Sequence, residues 1–302
     1  MEINRNNTIS DYHKLNGLPK PQHPLISVVK FEDIKSHEGN IPKSMINGFY
    51  SIALKRTNAK FKYGQQEYDF DEGVLAFIAP NQIISVVLEE NEVLEHSGWL
   101  LIFHPDFLWN TPLATKIKQY DYFGYHLSEA LHLSDKEETM IVGIMKNISQ
   151  EYNSNIDKFS QDLIIVQLEL LLKYADRFYN RQFLTRKISN HSILNRLEEL
   201  LNKYFNSDVL QKQGLPTVQS IADELNISPN YLSGLIKSLT GQNTQQNIHE
   251  KLIEKAKEKL STTDLSVSEI AYELGFEHPQ SFSKLFKTKT KFSPLEFRHS
   301  FN

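Results

Sequence analysis

The clearest pattern along the chain is a repeated spacing of apolar and polar positions in its last third. Residues 221–227 read IADELNI and residues 270–276 read IAYELGF. Each copy is followed by a second amphipathic stretch, whose apolar residues are Leu232, Leu235 and Ile236 in the first copy and Phe282, Leu285 and Phe286 in the second. Apolar residues three or four positions apart lie on one face of a helix. The pattern therefore predicts two helical hairpins of similar design.

Small and turn-forming residues occupy the same places in both copies. Ala222 and Ala271 let the two helices of a hairpin pack closely. Asn226 and Gly275 follow, and these residue types tolerate a positive φ in the turn. This is the arrangement of a helix-turn-helix. We place the two units at residues 217–240 and 266–290.

Capping residues mark where the helices begin and end. Thr217 is expected to cap the first helix, Ser228 the second, and Gly241 to end it. The turn of the second copy is one residue longer, which should re-aim its second helix. Residues 244–261 carry apolar positions at helical spacing and predict a connecting helix.

Apolar spacing alone specifies packing, so a pair of helical hairpins without any nucleic-acid role is the simpler interpretation. Two copies with the small and turn residues correctly placed favour DNA binding instead.

The second copy also resembles a known family. Residues 268–298 read SEIAYELGFEHPQSFSKLFKTKTKFSPLEFR, which is similar to the signature of the AraC/XylS transcription regulators of bacteria. The resemblance covers about residues 190–300, and residues 114–210 resemble the helical segment common in such regulators. It implies binding of double-stranded DNA, with RNA polymerase as a plausible further partner. Two departures stand out. Lys291 replaces a frequent Gly, and the first recognition helix has Asn230, Ser233 and Gly234 where bulky or basic readers are common in the family.

A recognition helix presents its N-terminal residues to base edges in the major groove. In the second unit we expect Gln280 to pair with adenine and Lys284 with guanine. In the first unit Asn230 is suited to adenine and Ser233 to either base, with Lys237 nearer the backbone. The remaining candidate DNA-binding residues are Pro279, Ser281 and Ser283 on the recognition helix and the phosphate contacts Lys287, Lys289 and Lys291.

Charge is distributed unevenly over this region. From residue 278 onward, five basic side chains, Lys284, Lys287, Lys289, Lys291 and Arg298, stand against the single acid Glu296. We therefore expect the first unit mainly to position the protein and the second mainly to specify the sequence. The two units should address major-groove segments about one helical turn, ~34 Å, apart.

The first hundred residues show short apolar or alternating runs separated by turn residues, a pattern typical of a sandwich or barrel. Regulators of this family usually carry a cupin-like jelly roll there, and residues 69–80 resemble its strand–turn–strand segment. Such a barrel is a candidate effector domain. Its aromatic residues Tyr50, Tyr63, Phe77 and Trp99 are candidate lining of an effector pocket, although core packing is the commoner role of such residues.

A helical block follows the predicted barrel. Ser134 and Glu137 have the spacing of a capping box, and they open a helix with Met140, Ile141, Ile144, Met145 and Ile148 facing inward. Residues 161–178 are apolar on more than one face, which suits either a central position or a partner subunit. We favour a homodimer.

Composition limits the chemistry. The 302 residues include no cysteine, and the eleven histidines are scattered, so neither thiolate chemistry nor a histidine-rich metal site is expected. No run approaches a membrane span and no leader is recognisable, so a cytoplasmic location is expected. The net charge of −4 speaks against a sequence-blind nucleic-acid coat.

The sequence thus predicts an α+β multidomain protein without enzymatic activity, cofactor or metal. The predicted parts are a cupin-like effector domain at 1–112, a helical dimerisation segment at 113–187 and an all-α DNA-binding domain at 188–302. The favoured function is a transcription regulator, more specifically an activator, possessing a small-molecule effector. A cupin enzyme with a helical appendage and a helical protein-interaction adaptor are the alternatives.

Overall fold

The computed structural model of the chain describes residues 4–34, 44–57, 61–63, 66–68, 73–85, 96–126, 129–154, 157–185, 187–205, 207 and 209–300. The chain divides into two compact units, Met1–Gln182 and Phe183–Asn302. No helix in these ranges is both long and apolar enough to cross a membrane. The three functional parts expected from the sequence stay a prediction.

The first unit is built on an antiparallel sheet of five strands. The strands of this unit, in chain order, are β1 (Asn4–Asn6), β2 (Ile26–Lys30), β3 (Ser44–Asn47), β4 (Tyr50–Thr57), β5 (Phe61–Tyr63), β6 (Gln66–Tyr68), β7 (Val74–Ile78), β8 (Ile83–Ser85), β9 (His96–Phe103) and β10 (Leu131–His132). The main sheet has the order β10-β7-β4-β9-β2. Four consecutive residues are buried on β4 (51–54) and on β9 (100–103), so burial does not alternate as it would on a strand with one solvent-exposed face.

Two smaller sheets accompany the main one, with the orders β1-β3-β8 and β5-β6. In β1-β3-β8 the first pair is parallel and the second antiparallel. The α+β class is therefore confirmed. A closed barrel is not seen among the described strands, and the jelly roll stays a prediction.

Both faces of the main sheet are covered. One face packs Ala53, Leu100 and Ile102 against Ile9 and Tyr12 of the short helix α1 (Ile9–Leu15). The other face meets an aromatic cluster in the segment between β9 and β10. The ring of Phe77 contacts those of Tyr122 and Phe123 in this cluster. Because strands alternate their side chains, each face has its own apolar layer.

Three further helices start in the first unit: α2 (Leu113–Lys116), α3 (Asp135–Tyr152) and α4 (Ser160–Thr185). The expected capping box at α3 is present, since the Ser134 N–H donates to Glu137 Oε2 at 2.9 Å. Ile141 and Ile144 are buried as expected, but the inward placement of Met140 was wrong. Met140 is 46% exposed because it lies about 100° around the helix axis from the adjacent Ile141, just outside the buried stripe of α3.

All the secondary-structure elements described in the second unit are helices. From Phe183, the last three residues of α4 lead into α5 (Lys187–Phe205), α6 (Val209–Gln213), α7 (Val218–Leu225), α8 (Pro229–Thr240), α9 (Thr244–Thr262), α10 (Val267–Glu273), α11 (Pro279–Thr290) and α12 (Pro294–His299). Its core joins both copies of the repeat, with Ala222, Ala271, Phe282 and Phe286 fully buried. The predicted connecting helix is α9.

Candidate nucleic-acid interface

Helices α7 and α8 form the first helix-turn-helix. Asn226 ends α7 in the left-handed conformation, with φ 57°. Ser228 then caps α8, because its Oγ accepts the Tyr231 N–H at 3.2 Å, and Pro229 is the first helical residue. Gly241 ends α8 with φ 76°. These turn and cap positions are those that the residue pattern predicts.

Helices α10 and α11 form the second helix-turn-helix, whose turn is one residue longer. Gly275 adopts φ 81°, and His278 stands at the N-cap of α11 without a side-chain capping bond. A Cβ on Gly275 would lie 2.8 Å from the carbonyl oxygen of Leu210 and 3.1 Å from the carbonyl carbon of Gly214. Glycine is needed here both for its φ and for the close approach of another segment.

When α8 and α11 are aligned on their first residues, each residue of α8 corresponds to the residue of α11 that lies fifty positions later in the chain. Both helices have twelve residues and begin with proline, at Pro229 and Pro279. On this alignment Asn230 corresponds to Gln280, and Gly234 corresponds to Lys284.

The structure brings Gln280, Lys284 and Lys287 together on one face of α11. They are spaced by four and three residues, and all three are exposed. Within the described ranges the side chains of Gln280 and Lys284 have no hydrogen bond or ion pair, so both are available to a ligand. Ser283 borders this face and is half-buried. We call the face formed by these four residues the α11 polar face.

Two predicted phosphate contacts lie away from the α11 polar face. Lys289 is nine residues from Gln280 and so on about the opposite side of the helix. It lies near α9, where burial first and then the positive charge of Lys289 lower the pKa of His249. Lys291 follows the helix as its C-cap, in the left-handed conformation with φ 70°. Pro279 and Ser281 belong to the first turn of α11 and flank Gln280.

The matching face of α8 is less charged. Asn230 and Lys237 are exposed and Ser233 is half-buried, so the three predicted residues share one side of the helix. Gly234 lies between them and contributes no side chain. The α8 face carries one lysine, Lys237, whereas the α11 polar face carries two, Lys284 and Lys287.

Three of the four predicted effector-binding aromatics share one face of the main sheet. Tyr50 pairs with Phe103 across the strands, Trp99 pairs with Leu54, and Phe77 pairs with Ile52. The face is the one covered by the aromatic cluster.

Packing differs among these aromatics. The rings of Tyr50 and Phe77 both contact Phe123, at 5.0 and 5.4 Å, and Phe77 is only 3% exposed. Phe77 therefore belongs to the core. Trp99 lies under the Nζ of Lys30 at 5.6 Å. Tyr63 is on β5, and its side chain lies outside the described residues.

One residue counted as part of the basic surface has another use. Arg298 donates to two backbone carbonyls, those of Leu260 and Leu265, at 3.1 and 2.6 Å. Its place at the end of the family signature was the only sequence signal for it, and that signal does not reveal its partners.

In the described ranges no group of three His, Asp or Glu side chains is placed to hold a metal ion.

Comparison with known proteins agrees with this geometry. The family model described as a helix-turn-helix domain matches residues 221–300. An uncharacterized HTH-type transcriptional regulator in the cgkA 5′ region of Pseudoalteromonas carrageenovora is 32% identical over 116 residues, which is 38% of this chain and 64% of that protein. The chain thus spans less than two thirds of this relative.

Two further proteins are similar to the chain. The HTH-type transcriptional activator RhaS of Salmonella schwarzengrund is 22% identical over 245 residues, covering 78% of this chain and 80% of RhaS. A crystal structure of a transcriptional regulator of the AraC-type DNA-binding domain group from Chromobacterium violaceum is 19% identical, covers 37% of this chain and 95% of that one, and has a TM-score of 0.31.

Proposed function

The chain belongs to the AraC/XylS family of transcription regulators, and from this premise we propose that it binds double-stranded DNA sequence-specifically and regulates transcription as an activator. The family is one of regulators rather than enzymes. The name of RhaS, a transcriptional activator, supports the choice of activation.

The observation that carries the proposal is the α11 polar face. Gln280 offers an amide that can pair bidentately with adenine, and Lys284 can donate to guanine O6 or N7. Both side chains are exposed near the start of a helix that follows a tight turn, which is where a recognition helix reads base edges. Lys287 extends the same face toward the phosphates.

The two reading helices have different roles in this proposal. The α11 polar face supplies most of the sequence discrimination, while α8 mainly positions the protein through Asn230, Ser233 and Lys237. Replacing Gln280 by Ala should therefore relax base preference more than replacing Asn230 by Ala. The opposite ranking in a binding selection would contradict this division.

The test of the whole proposal is selection of bound DNA from a random duplex library by the full-length protein, followed by salt titration of the selected sequence. We expect a motif of two elements about one helical turn apart. Lys284→Ala should weaken binding and relax the preference for guanine. Lys287→Ala should weaken binding and make the slope of log affinity against log salt shallower by about 0.9. Lys146→Ala, which removes an exposed lysine of α3 in the first unit, is the matched control and should leave both unchanged. No enrichment over random DNA would refute the proposal.

We also propose a homodimer formed through α4. Leu163, Val166 and Leu170 are spaced by three and four residues, as in the seam of a coiled coil, and Val166 is 59% exposed. Phe159, just before the helix, is exposed as well. Exposed apolar stripes of this kind mark protein contacts.

Light scattering on the full-length protein tests this interface. Wild type should have the mass of two chains, and Leu163→Asp should have the mass of one, because a charge in the seam must be desolvated on pairing. Met140→Asp, at a similarly exposed apolar residue of α3, should stay dimeric. A dimer that survives Leu163→Asp would place the interface elsewhere.

The first unit is proposed as a cupin-like effector domain for a small molecule. Its support is the resemblance of residues 69–80, which lie in part outside the described residues, together with the half-buried Tyr50 and Trp99. Phe77 would act in such a site only as a packed wall. A cytoplasmic location and contact with RNA polymerase complete the proposal, since an activator of transcription works on chromosomal DNA.

A further inference from the structure

The guanidinium group of Arg298 is directed at the helix that joins the two copies of the repeat. Its Nε donates to the carbonyl of Leu260 at 3.1 Å, and its Nη2 donates to the carbonyl of Leu265 at 2.6 Å. Leu260 lies in the last turn of α9, and Leu265 lies in the short link between α9 and α10. Arg298 therefore ties α12 both to the end of α9 and to the link.

These carbonyls suit an arginine. The last carbonyls of a helix lack partners within it, and near the end of α9 the carbonyl of Lys259 is taken by Thr263. Leu260 is next along the chain, and Arg298 supplies its hydrogen bond. A guanidinium group presents its donors in a rigid planar fork, so two bonds from one group hold an angle as well as a distance.

A second contact acts at the same end of α9. Lys259 Nζ lies 2.6 Å from Glu273 Oε2, which joins α9 to the last residue of α10. Both side chains are partly buried, so the pair is shielded from solvent more than a surface ion pair. Together with Arg298, it attaches α10 and α12, the helices on either side of α11 in the chain, to α9.

The first copy has a comparable arginine with a different target. Arg196 of α5 donates to the carbonyl of Leu225 at the end of α7, at 3.3 Å. This bond holds the first helix-turn-helix to α5 and makes no connection between the two copies. It therefore offers a matched control.

We infer that Arg298 is a positioning residue that, with the Lys259–Glu273 pair, fixes the angle of α11 on α9 and thereby the separation of the two DNA elements that the protein accepts. This inference rests on the proposed DNA-binding function. One base pair changes the separation by roughly 3.4 Å and the rotation by about 34°. A rigid pair of reading helices therefore accepts one spacing, and a loosened pair accepts several.

The experiment uses full-length protein and duplexes that carry the two selected elements at their natural spacing or with one base pair added or removed. Wild type should prefer its own spacing by about tenfold or more, equivalent to at least ~1.4 kcal/mol. Arg298→Gln should reduce this preference to about threefold or less, because affinity for the altered spacings falls less than for the natural one. Arg196→Gln should lower all affinities by a common factor and keep the preference.

An unchanged spacing preference in Arg298→Gln would overturn the inference, even if its overall affinity fell. Should that variant fail to fold, Arg298→Lys decides the matter, since lysine keeps the charge and loses the fork. Arg298→Lys with the wild-type preference would overturn the inference, and a broadened preference would support it. Failure of the proposed function looks different: wild type itself would then select no motif at any spacing.

Discussion

The two helix-turn-helix copies end their second helices with the same backbone and different side chains. Gly241 follows α8 with φ 76° and ψ −3°, and Lys291 follows α11 with φ 70° and ψ −4°. The hydroxyls of Thr240 and Thr290, one residue earlier, both bond the carbonyl four residues before them at 2.8 Å. The repeat therefore extends further than the similarity of the sequences indicates.

The difference between the copies shows that the second helix-turn-helix carries a positive charge at a position where glycine would give the lower backbone strain. A non-glycine residue in the left-handed conformation costs about 1 kcal/mol. The first copy avoids that cost with Gly241, whereas the second accepts it and gains a positive charge beside its reading helix. The second copy therefore has the more positive charge for binding an anion and the more strained backbone at the end of its second helix.

The largest expected effect tests the turn of the second copy. Gly275→Ala should destabilise the second unit by about 3 kcal/mol, because a left-handed alanine is strained and its Cβ would meet the Leu210 carbonyl. Gly241→Ala is the control from the first copy, since nothing lies within 4 Å of the added atom. It should cost only about 1 kcal/mol. Urea unfolding of each full-length variant measures both, and equal losses would show that the close approach at Gly275 is unimportant.

A smaller effect is expected from exchanging the helix ends. Lys291→Gly should stabilise the second unit by about 1 kcal/mol, and Gly241→Lys should destabilise it by a similar amount. Urea unfolding gives the stabilities, and salt titration of DNA binding shows separately whether Lys291 contacts a phosphate. A shallower salt slope with Lys291→Gly supports that contact. Loss of stability in Lys291→Gly would contradict the assignment of strain to this position.

The smallest expected effect is a loss of stability in the second copy at acidic pH. Hydrogen bonds from the side chain and backbone of Ser266 lower the pKa of Glu269, and hydrogen bonds from the backbone and side chain of Ser293, with a further contribution from Lys287, lower the pKa of Glu296. A carboxyl group whose pKa is lowered by folding stabilises the fold above its unfolded pKa of about 4.3, and this contribution is lost as the pH falls through the folded value.

The first copy carries Ser220 and Gln246 at the corresponding capping-box positions, and neither residue titrates. Hydrogen exchange at pH 6 and pH 3, corrected for intrinsic rates, should therefore show a loss of protection at the starts of α10 and α12 that α7 and α9 do not share. Equal losses in all four helices would remove this distinction between the copies.

The second unit could largely be predicted from the sequence because its signals are local. Thr217, Ser228 and Gly241 act as caps within one or two turns of the helices that they delimit. The direction of Lys289 could not be predicted, because it depends on where α9 passes. The partners of Arg298 were equally out of reach, since Leu260 lies 38 residues earlier.

The first unit was harder to predict because its pairing is long-range. Strand β2 pairs with β9, some seventy residues further along the chain. Alternation shows that a strand has two faces but does not show what covers each of them. The aromatic residues of the predicted effector pocket were chosen without this knowledge, and Phe77 proved to be packed among other rings.

Helix α9 also limits how the second unit can change over generations. Its 19 residues span roughly 28 Å, and each residue advances the helix by about 1.5 Å and turns it by about 100°. A single inserted or deleted codon within α9 would swing one half of the repeat to another side of the axis, whereas a substitution on α8 or α11 leaves the frame intact. Related proteins should therefore differ in the DNA bases that they recognise and share the distance between the two DNA elements that they bind.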